Sequence, residues 1–398
     1  MSASSHVAHP SHEGHGSAGA AATRAPRARR TWQLAPEREW LLALVALALC
    51  AVPLVLDARQ GSAGLLTAGF WGLLVCMGAM FFAAVNCVGG ARWWRPVEGS
   101  TIAVGRGLIV PVFGVAVVIA VAIATAKPGA DAPRVLYPWL TDPGEPLVMA
   151  KAAWLNPLAF VARAAGVVAV LLVCSTMLER TLKQRDVHKR ARVGVLFILL
   201  AGFATMIAIW DWVMSLEPKW ATTMYSWYNL GAALQGGVAA TIVFTLLTSD
   251  PDESTRHDLG KYLFAFSMFW AYLWFCQFML IWYANIPEEA AYYRYRMFGP
   301  WAGLFWANPI VTFAAPWLAL LPVRTKLHRG ALFTAAIVVL AGRWLDAYLL
   351  VGPSQSDPPE GGPELFYVLP AAVGMAIALV LWIRRTSQTP AEAAGDGA

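Results

Sequence analysis

Histidine is missing from every long apolar run of this sequence. All seven histidines, His6, His9, His12, His15, His188, His257 and His328, fall in polar stretches. A haem b held inside a membrane needs axial ligands on the helices, normally histidine, so no such haem is expected. Cysteine is scarce as well: Cys50, Cys76, Cys87, Cys174 and Cys276 are scattered, and none forms a CxxC pair. An iron–sulfur cluster calls for four thiolates at close spacing, so none is expected either. Walker loops, dinucleotide fingerprints and zincin motifs are also absent from the sequence. Any redox chemistry would depend on a diffusible carrier or on partner subunits. The tail "HVAHPSHEGHG" reads as a solvated low-complexity segment, with capture of a metal ion as the alternative.

Charge is the other shortage. Charged residues make up 14% of the chain, where soluble domains carry about 25%. Hydrophobic residues reach 58% and tryptophans number 19, with a mean hydropathy of +0.54. Such an excess of indole rings suits the two membrane–water interfaces. Ten apolar runs lie near 39–56, 64–85, 101–125, 158–180, 193–214, 227–248, 262–284, 302–322, 331–351 and 365–384. Each approaches the ~20 residues that cross a bilayer as helix. The runs are continuous and do not alternate, which excludes barrel strands. The expected fold is therefore an all-α polytopic membrane protein. It divides into a transmembrane domain over 39–385 and disordered tails over 1–38 and 386–398. Residues 1–30 are polar and the first run lacks a small-residue cleavage site, so that run is expected to remain as a helix.

Basic residues set the orientation. With both termini on one side, that side holds twenty of the 30 Lys and Arg residues, and the other side holds seven. This bias puts both termini in the cytoplasm. The net charge of +6 is then a matter of topology, and no nucleic-acid partner is implied.

Three arginines, Arg106, Arg163 and Arg343, and two acids, Asp211 and Asp346, remain inside the apolar runs. An ionisable group at that depth costs about 3 kcal/mol or more, and is functional by default. By topology Arg163, Asp211, Arg343 and Asp346 share a similar depth toward the outside, and only Arg106 lies toward the cytoplasm. Arg343 and Asp346, in "GRWLDAY", are three apart and can pair on one helix face. Arg163 is the cross-helix candidate for Asp211. These groups either lock helix packing or form a proton or headgroup site open to the outside. Glu179 precedes Lys183 by four and reads as a solvated pair. The outer loops "SLEPKWATTMYSWYN" and "NIPEEAAYYRYRMFGPW" read as interfacial aromatic belts, with a headgroup-binding mouth containing Glu217, Glu288 and Glu289 as the alternative. The Pro-rich outer stretch 126–157 reads as a lid or docking surface. A faint echo, "WLNPLAF" (154–160) and "WANPIVTF" (306–313), pairs helices 2–5 with helices 6–9.

The segments "LYPWL", "KAAWLNPLAFVAR", "RTLKQRD", "WDWVMSLEPKW" and "IWYANIPEEAAYYRYR" resemble the ActF subunit of alternative complex III, over roughly 80–385. That complex is a bacterial quinol:electron-acceptor oxidoreductase, and ActF is similar to the NrfD/PsrC-type membrane subunits. The length and "WLNPLAFVAR" favour ActF over its paralogue ActC. The resemblance implies two four-helix bundles with flanking helices, in a bacterial inner membrane. It implies quinone as the interacting small molecule, with no covalently bound cofactor, haem or iron–sulfur cluster in this chain. Haem c and iron–sulfur centres would lie in partner subunits, beside an ActC-like paralogue and a terminal oxidase. The motif positions that carry over are Arg163, Asp211, Glu217, Trp220, Glu288 and Glu289. On this basis Asp211 is expected to exchange the protons that quinol oxidation releases, with its flanking tryptophans fixing the helix end at the interface. An ActC-type quinol-oxidising subunit, a non-catalytic scaffold that binds lipid and partners, and a secondary transporter stay open as alternatives.

Overall fold

The computed structural model describes residues 35–126, 135–184, 186–356 and 361–388. The histidine-rich tail, most of the two expected terminal tails and part of the 126–157 stretch lie outside the described residues. Among the described residues ten helices are long and apolar enough to cross a membrane. They are α1 (Pro36–Leu56), α2 (Ala58–Val88), α3 (Arg95–Thr125), α4 (Pro157–Leu182), α5 (Val187–Leu216), α6 (Met224–Thr248), α7 (Glu253–Ala284), α8 (Gly299–Leu320), α9 (Arg329–Gln355) and α10 (Leu365–Ser387). This is the all-α polytopic membrane architecture, and each expected run falls on one span.

Several helices outrun their apolar stretches. The α7 helix has 32 residues, about 48 Å at 1.5 Å per residue, against a hydrocarbon core of about 30 Å. Its polar first turns therefore project beyond the bilayer, and they begin where Asp252 accepts from the Thr255 amide at 3.0 Å. His257 and His188 thus sit in helices after all, near the polar starts of α7 and α5. Asp57, Asn156 and Asp186 cap α2, α4 and α5 in the same way, each satisfying a donor that the helix start leaves open. Two boundaries move outward: α1 begins at Pro36 and the last helix continues to Gln388, which shortens both expected tails.

The α2 helix is the axis of the molecule. Its apolar window is 89% buried, whereas that of α1 is 11% buried. Helices α2–α5 form one bundle and α6–α9 a second, joined where α2 lies against α6 and α9, while α1 and α10 pack outside α2 and α3. Glycine makes the central contact possible. A Cβ on Gly78 would lie 1.7 Å from the Ala233 carbonyl oxygen, and one on Gly237 would lie 2.1 Å from the Ala79 nitrogen. Without a hydrophobic drive between helices in lipid, such close backbone approach supplies much of the attraction. Glu39 at the start of α1 pairs with Arg384 near the end of α10 at 2.9 Å, so both chain ends of the domain lie on one side.

The stretch expected to be a lid is a packed element where it is described. Tyr137 and Trp139 are fully buried, and the Tyr137 hydroxyl donates to the Trp212 carbonyl at 3.0 Å. The sequence echo is also altered. Asn156 caps the start of α4, but Asn308 lies inside α8, just before a π-helical turn over Ile310–Ala314.

Candidate functional site

The expected ionisable residues form separate clusters. Asp211, five residues before the end of α5, is almost fully buried. Its two oxygens take a bidentate pair from Arg163 of α4, Nε at 2.8 Å and Nη2 at 3.1 Å. The same Nη2 donates to the Trp154 carbonyl at 2.8 Å, and the guanidinium lies 4.1 Å from the Trp154 ring centroid. The flanking indole of Trp212 is buried against the core, not spread at an interface. Arg163 is thus the partner of Asp211, as expected, in a closed arrangement.

Asp346 is deeper. Nine residues separate it from the outer end of α9, about 14 Å along the axis. Asp346 Oδ1 accepts from Asn308 Nδ2 at 2.6 Å and from the Tyr228 hydroxyl. Asp346 Oδ2 faces Arg343 Nη1 at 3.2 Å, so the i,i+3 pairing expected from the sequence is present. Both side chains are less than 5% exposed. The Arg343 guanidinium also stands 4.0 Å from the Trp270 ring centroid, where the ring face attracts a cation. Its N–H directions miss the carboxylate, so Arg343 Nε, Nη1 and Nη2 have no hydrogen-bond partner in the protein among the described residues.

Two small cavities meet at this carboxylate. One of about 30 Å³ is lined by Tyr228, Gln277, Tyr292, Arg296, Asn308 and Asp346, among others. The other, about 10 Å³, is bounded by Asn229, Arg343 and Asp346 with apolar neighbours. A polar cavity near 10–15 Å³ or larger has room for a water, and water there would satisfy the open Arg343 donors. Toward the membrane centre the network continues through neutral groups. Thr312 Oγ1 donates to Asn308 Oδ1 at 2.9 Å, and Gln235 Nε2 reaches both the Thr312 carbonyl at 2.8 Å and Ser267 Oγ at 2.9 Å. The π-helical turn brings Asn308 and Thr312 onto this face; such turns recur at functional sites.

Glu217 adjoins the outer mouth of the first cavity through Arg296, which lines it. Its Oε1 accepts from Arg296 Nη2 at 2.5 Å. Arg296, in the short helix Pro287–Met297, also donates to the Leu349 and Tyr292 carbonyls at 3.1 and 3.0 Å. Burial disfavours the Arg296 charge, but Glu217, Tyr292 and Tyr225 together raise it above the usual guanidinium range. Tyr292 stacks on Trp220 with ring centroids 3.9 Å apart, and burial pushes its phenol up to about 12. These rings were expected to form interfacial belts. Trp220, Tyr292, Tyr293 and Trp301 are buried instead, the first three around Arg296 and the cavity and Trp301 against Tyr348. Glu288 and Glu289 stand apart from it, in the first turn of their short helix, where the macrodipole favours negative charge. Arg106 is drawn into a structural tie on the inner side, donating to Glu179 at 2.7 Å and to the Thr386 carbonyl at 2.8 Å. Glu179 therefore has Arg106 as well as the expected Lys183 at 3.3 Å.

The sequence reading missed Tyr228, Asn229, Gln235, Asn308, Thr312 and the role of Arg296. A signal existed for three of them: amides within apolar runs are costly unless bonded, and Asn229, Gln235 and Asn308 are such amides. Tyr228 gave none, because a tyrosine at a helix start looks like any interfacial ring. No known protein-family profile matches this chain, and no curated protein is significantly similar to it.

Proposed function

We propose that this chain is the proton-handling membrane subunit of a bacterial quinol:electron-acceptor oxidoreductase of the alternative complex III type. It would work in the cytoplasmic membrane with haem c and iron–sulfur partner subunits, an ActC-like paralogue and a terminal oxidase as acceptor. The observation that carries the proposal is the setting of Asp346: a membrane-buried carboxylate with a phenol, an amide and a guanidinium around it and a water-sized cavity on either side. The motifs "WDWVMSLEPKW" and "IWYANIPEEAAYYRYR" supply the link to quinol oxidation.

Oxidising one quinol yields two electrons and two protons. The electrons pass to the partners' centres. A cavity of about 30 Å³ accepts one or two waters but not a quinone ring, so quinol oxidation is assigned to another part of the assembly. Asp346 then takes up and releases a proton through water in that cavity. Arg343 faces one of its oxygens, and Tyr228 and Asn308 hold its position. The exit lies past Arg296 to Glu217, whose side chain is 27% exposed. The same cavity size weighs against a transporter of organic solutes.

The test is purification through a tag on this chain, a reduced-minus-oxidised spectrum for haem c, and reconstitution into vesicles with a pH-sensitive dye. Asp346→Asn should retain quinol-driven electron transfer within a few-fold and lower the protons released per electron. A fully assembled variant with an unchanged proton yield refutes the role of Asp346. A chain that isolates without haem c partners refutes the respiratory assignment.

A further inference from the structure

A second cavity, unrelated to the Asp346 network, is a groove of about 390 Å³ between α1, α3 and α10. Its floor includes Ala46, Leu65 and Met375, and its rim includes Leu47 and Phe113, both more than 60% exposed on the lipid-facing surface. From Glu39 to Leu54, the α1 residues that line it, the groove runs about 22 Å along the helix. Its only charged lining residues are Glu39 and Arg385, at the cytoplasmic end beside Trp40 and Trp382. Arg384 is next to them. One of its nitrogens, Nη2, meets Glu39 at 2.9 Å, while its Nε and Nη1 are buried with no hydrogen-bond partner in the protein among the described residues.

We infer that this groove binds one acyl chain of an anionic phospholipid from the inner leaflet, with the phosphate at Arg384 and Arg385. The length and apolar lining suit an extended hydrocarbon chain, and the gap between α1 and α3 opens sideways to the bilayer. The charge of Arg385 on the groove wall, with Arg384 the next residue along α10, suits a phosphate. A quinone ring would need hydrogen-bond donors along the groove, where the walls are Ala, Leu, Val, Phe and Met. Tryptophans at the headgroup level complete the site. The inference does not depend on the proton-handling proposal.

The experiment is native mass spectrometry of the detergent-solubilised full chain, titrated separately with phosphatidylglycerol, phosphatidylcholine and ubiquinone-10. Phosphatidylglycerol should bind roughly tenfold or more tightly than phosphatidylcholine, the preference that two basic residues at a membrane surface confer. Arg385→Gln, which leaves the Glu39–Arg384 pair in place, should reduce that preference several-fold. Ala43→Phe with Ala51→Phe, which fills the groove from its half-buried wall, should weaken both phospholipids by about tenfold or more. Equal binding of the two phospholipids overturns the headgroup assignment. Binding that is indifferent to the filled groove overturns the site, and ubiquinone lost on filling while phosphatidylglycerol stays overturns the choice of ligand.

Discussion

Arg343 and Asp346 can be neutralised singly and together, as Arg343→Met, Asp346→Asn and the double variant. At 3.2 Å and an effective dielectric near 20, their attraction is about 5 kcal/mol. Removing one partner strands the other charge in a site less than 5% exposed, which costs about 3–5 kcal/mol. Removing both abolishes the attraction and the stranded charge together, so the double variant should lie within about 1–2 kcal/mol of wild type. Cys76, Cys87 and Cys174 are buried free thiols, and a thiol-reactive fluorophore in detergent would report unfolding as they become accessible. Each single variant should unfold at clearly lower temperature than the double variant. If the double variant loses as much as the two single losses combined, the charges are not coupled and the account of this site fails.

Gly78→Ala should be the most damaging small substitution in the protein, costing upwards of about 3 kcal/mol, because the new Cβ meets the backbone of α6. Gly202→Ala, whose Cβ would find only Phe81 at 4.0 Å, should purify as a normal monodisperse peak and serve as the control. Arg163→Gln should lower stability by about 1–3 kcal/mol, below the fully buried case because Arg163 is 19% exposed, and should leave the proton yield per electron unchanged. Alkaline unfolding tests the outer mouth: the Tyr292 phenol keeps its proton up to about 12 when folded and gives it up near 10 when unfolded. That contribution is therefore complete below pH 10 and lost as pH rises toward 12, on the order of 3 kcal/mol. Tyr292→Phe should flatten the decline between pH 10 and 12, and an unchanged slope would contradict the burial of this ring.

The fold was legible because membrane insertion is governed by length and hydropathy, which need no partner. Ten runs were recognisable as ten helices, and the excess of Lys and Arg on one side set an orientation. Helix ends were less so, since α7 extends well past its apolar run and hydropathy is blind to the polar turns. The i,i+3 pairing of Arg343 and Asp346 could be read because one helix fixes it. The Arg163–Asp211 pair could only be guessed at, because nothing in a sequence fixes which helices touch. The same limit hid Asn308 and Tyr228, which reach Asp346 from two other helices, and Arg296, which looked like an outer-loop cation until Glu217 was found against it. Asp211 lies five residues before the end of α5 and Asp346 nine before the end of α9.

The surroundings of the two carboxylates differ as well. Both oxygens of Asp211 are taken by one guanidinium in a planar fork, and the fork's remaining contact is a backbone carbonyl. Asp346 keeps its bonds to neutral donors on one oxygen, while its other oxygen faces a guanidinium that aims no N–H at it. The adjoining cavities have room for a water beside that second oxygen. On the proposed function Asp346 is the carboxylate with room for water beside it, whereas both oxygens of Asp211 are already taken by the fork. Substitution at Asp211 should therefore be felt as a loss of stability, and substitution of Asp346 by asparagine as a loss of proton yield as well.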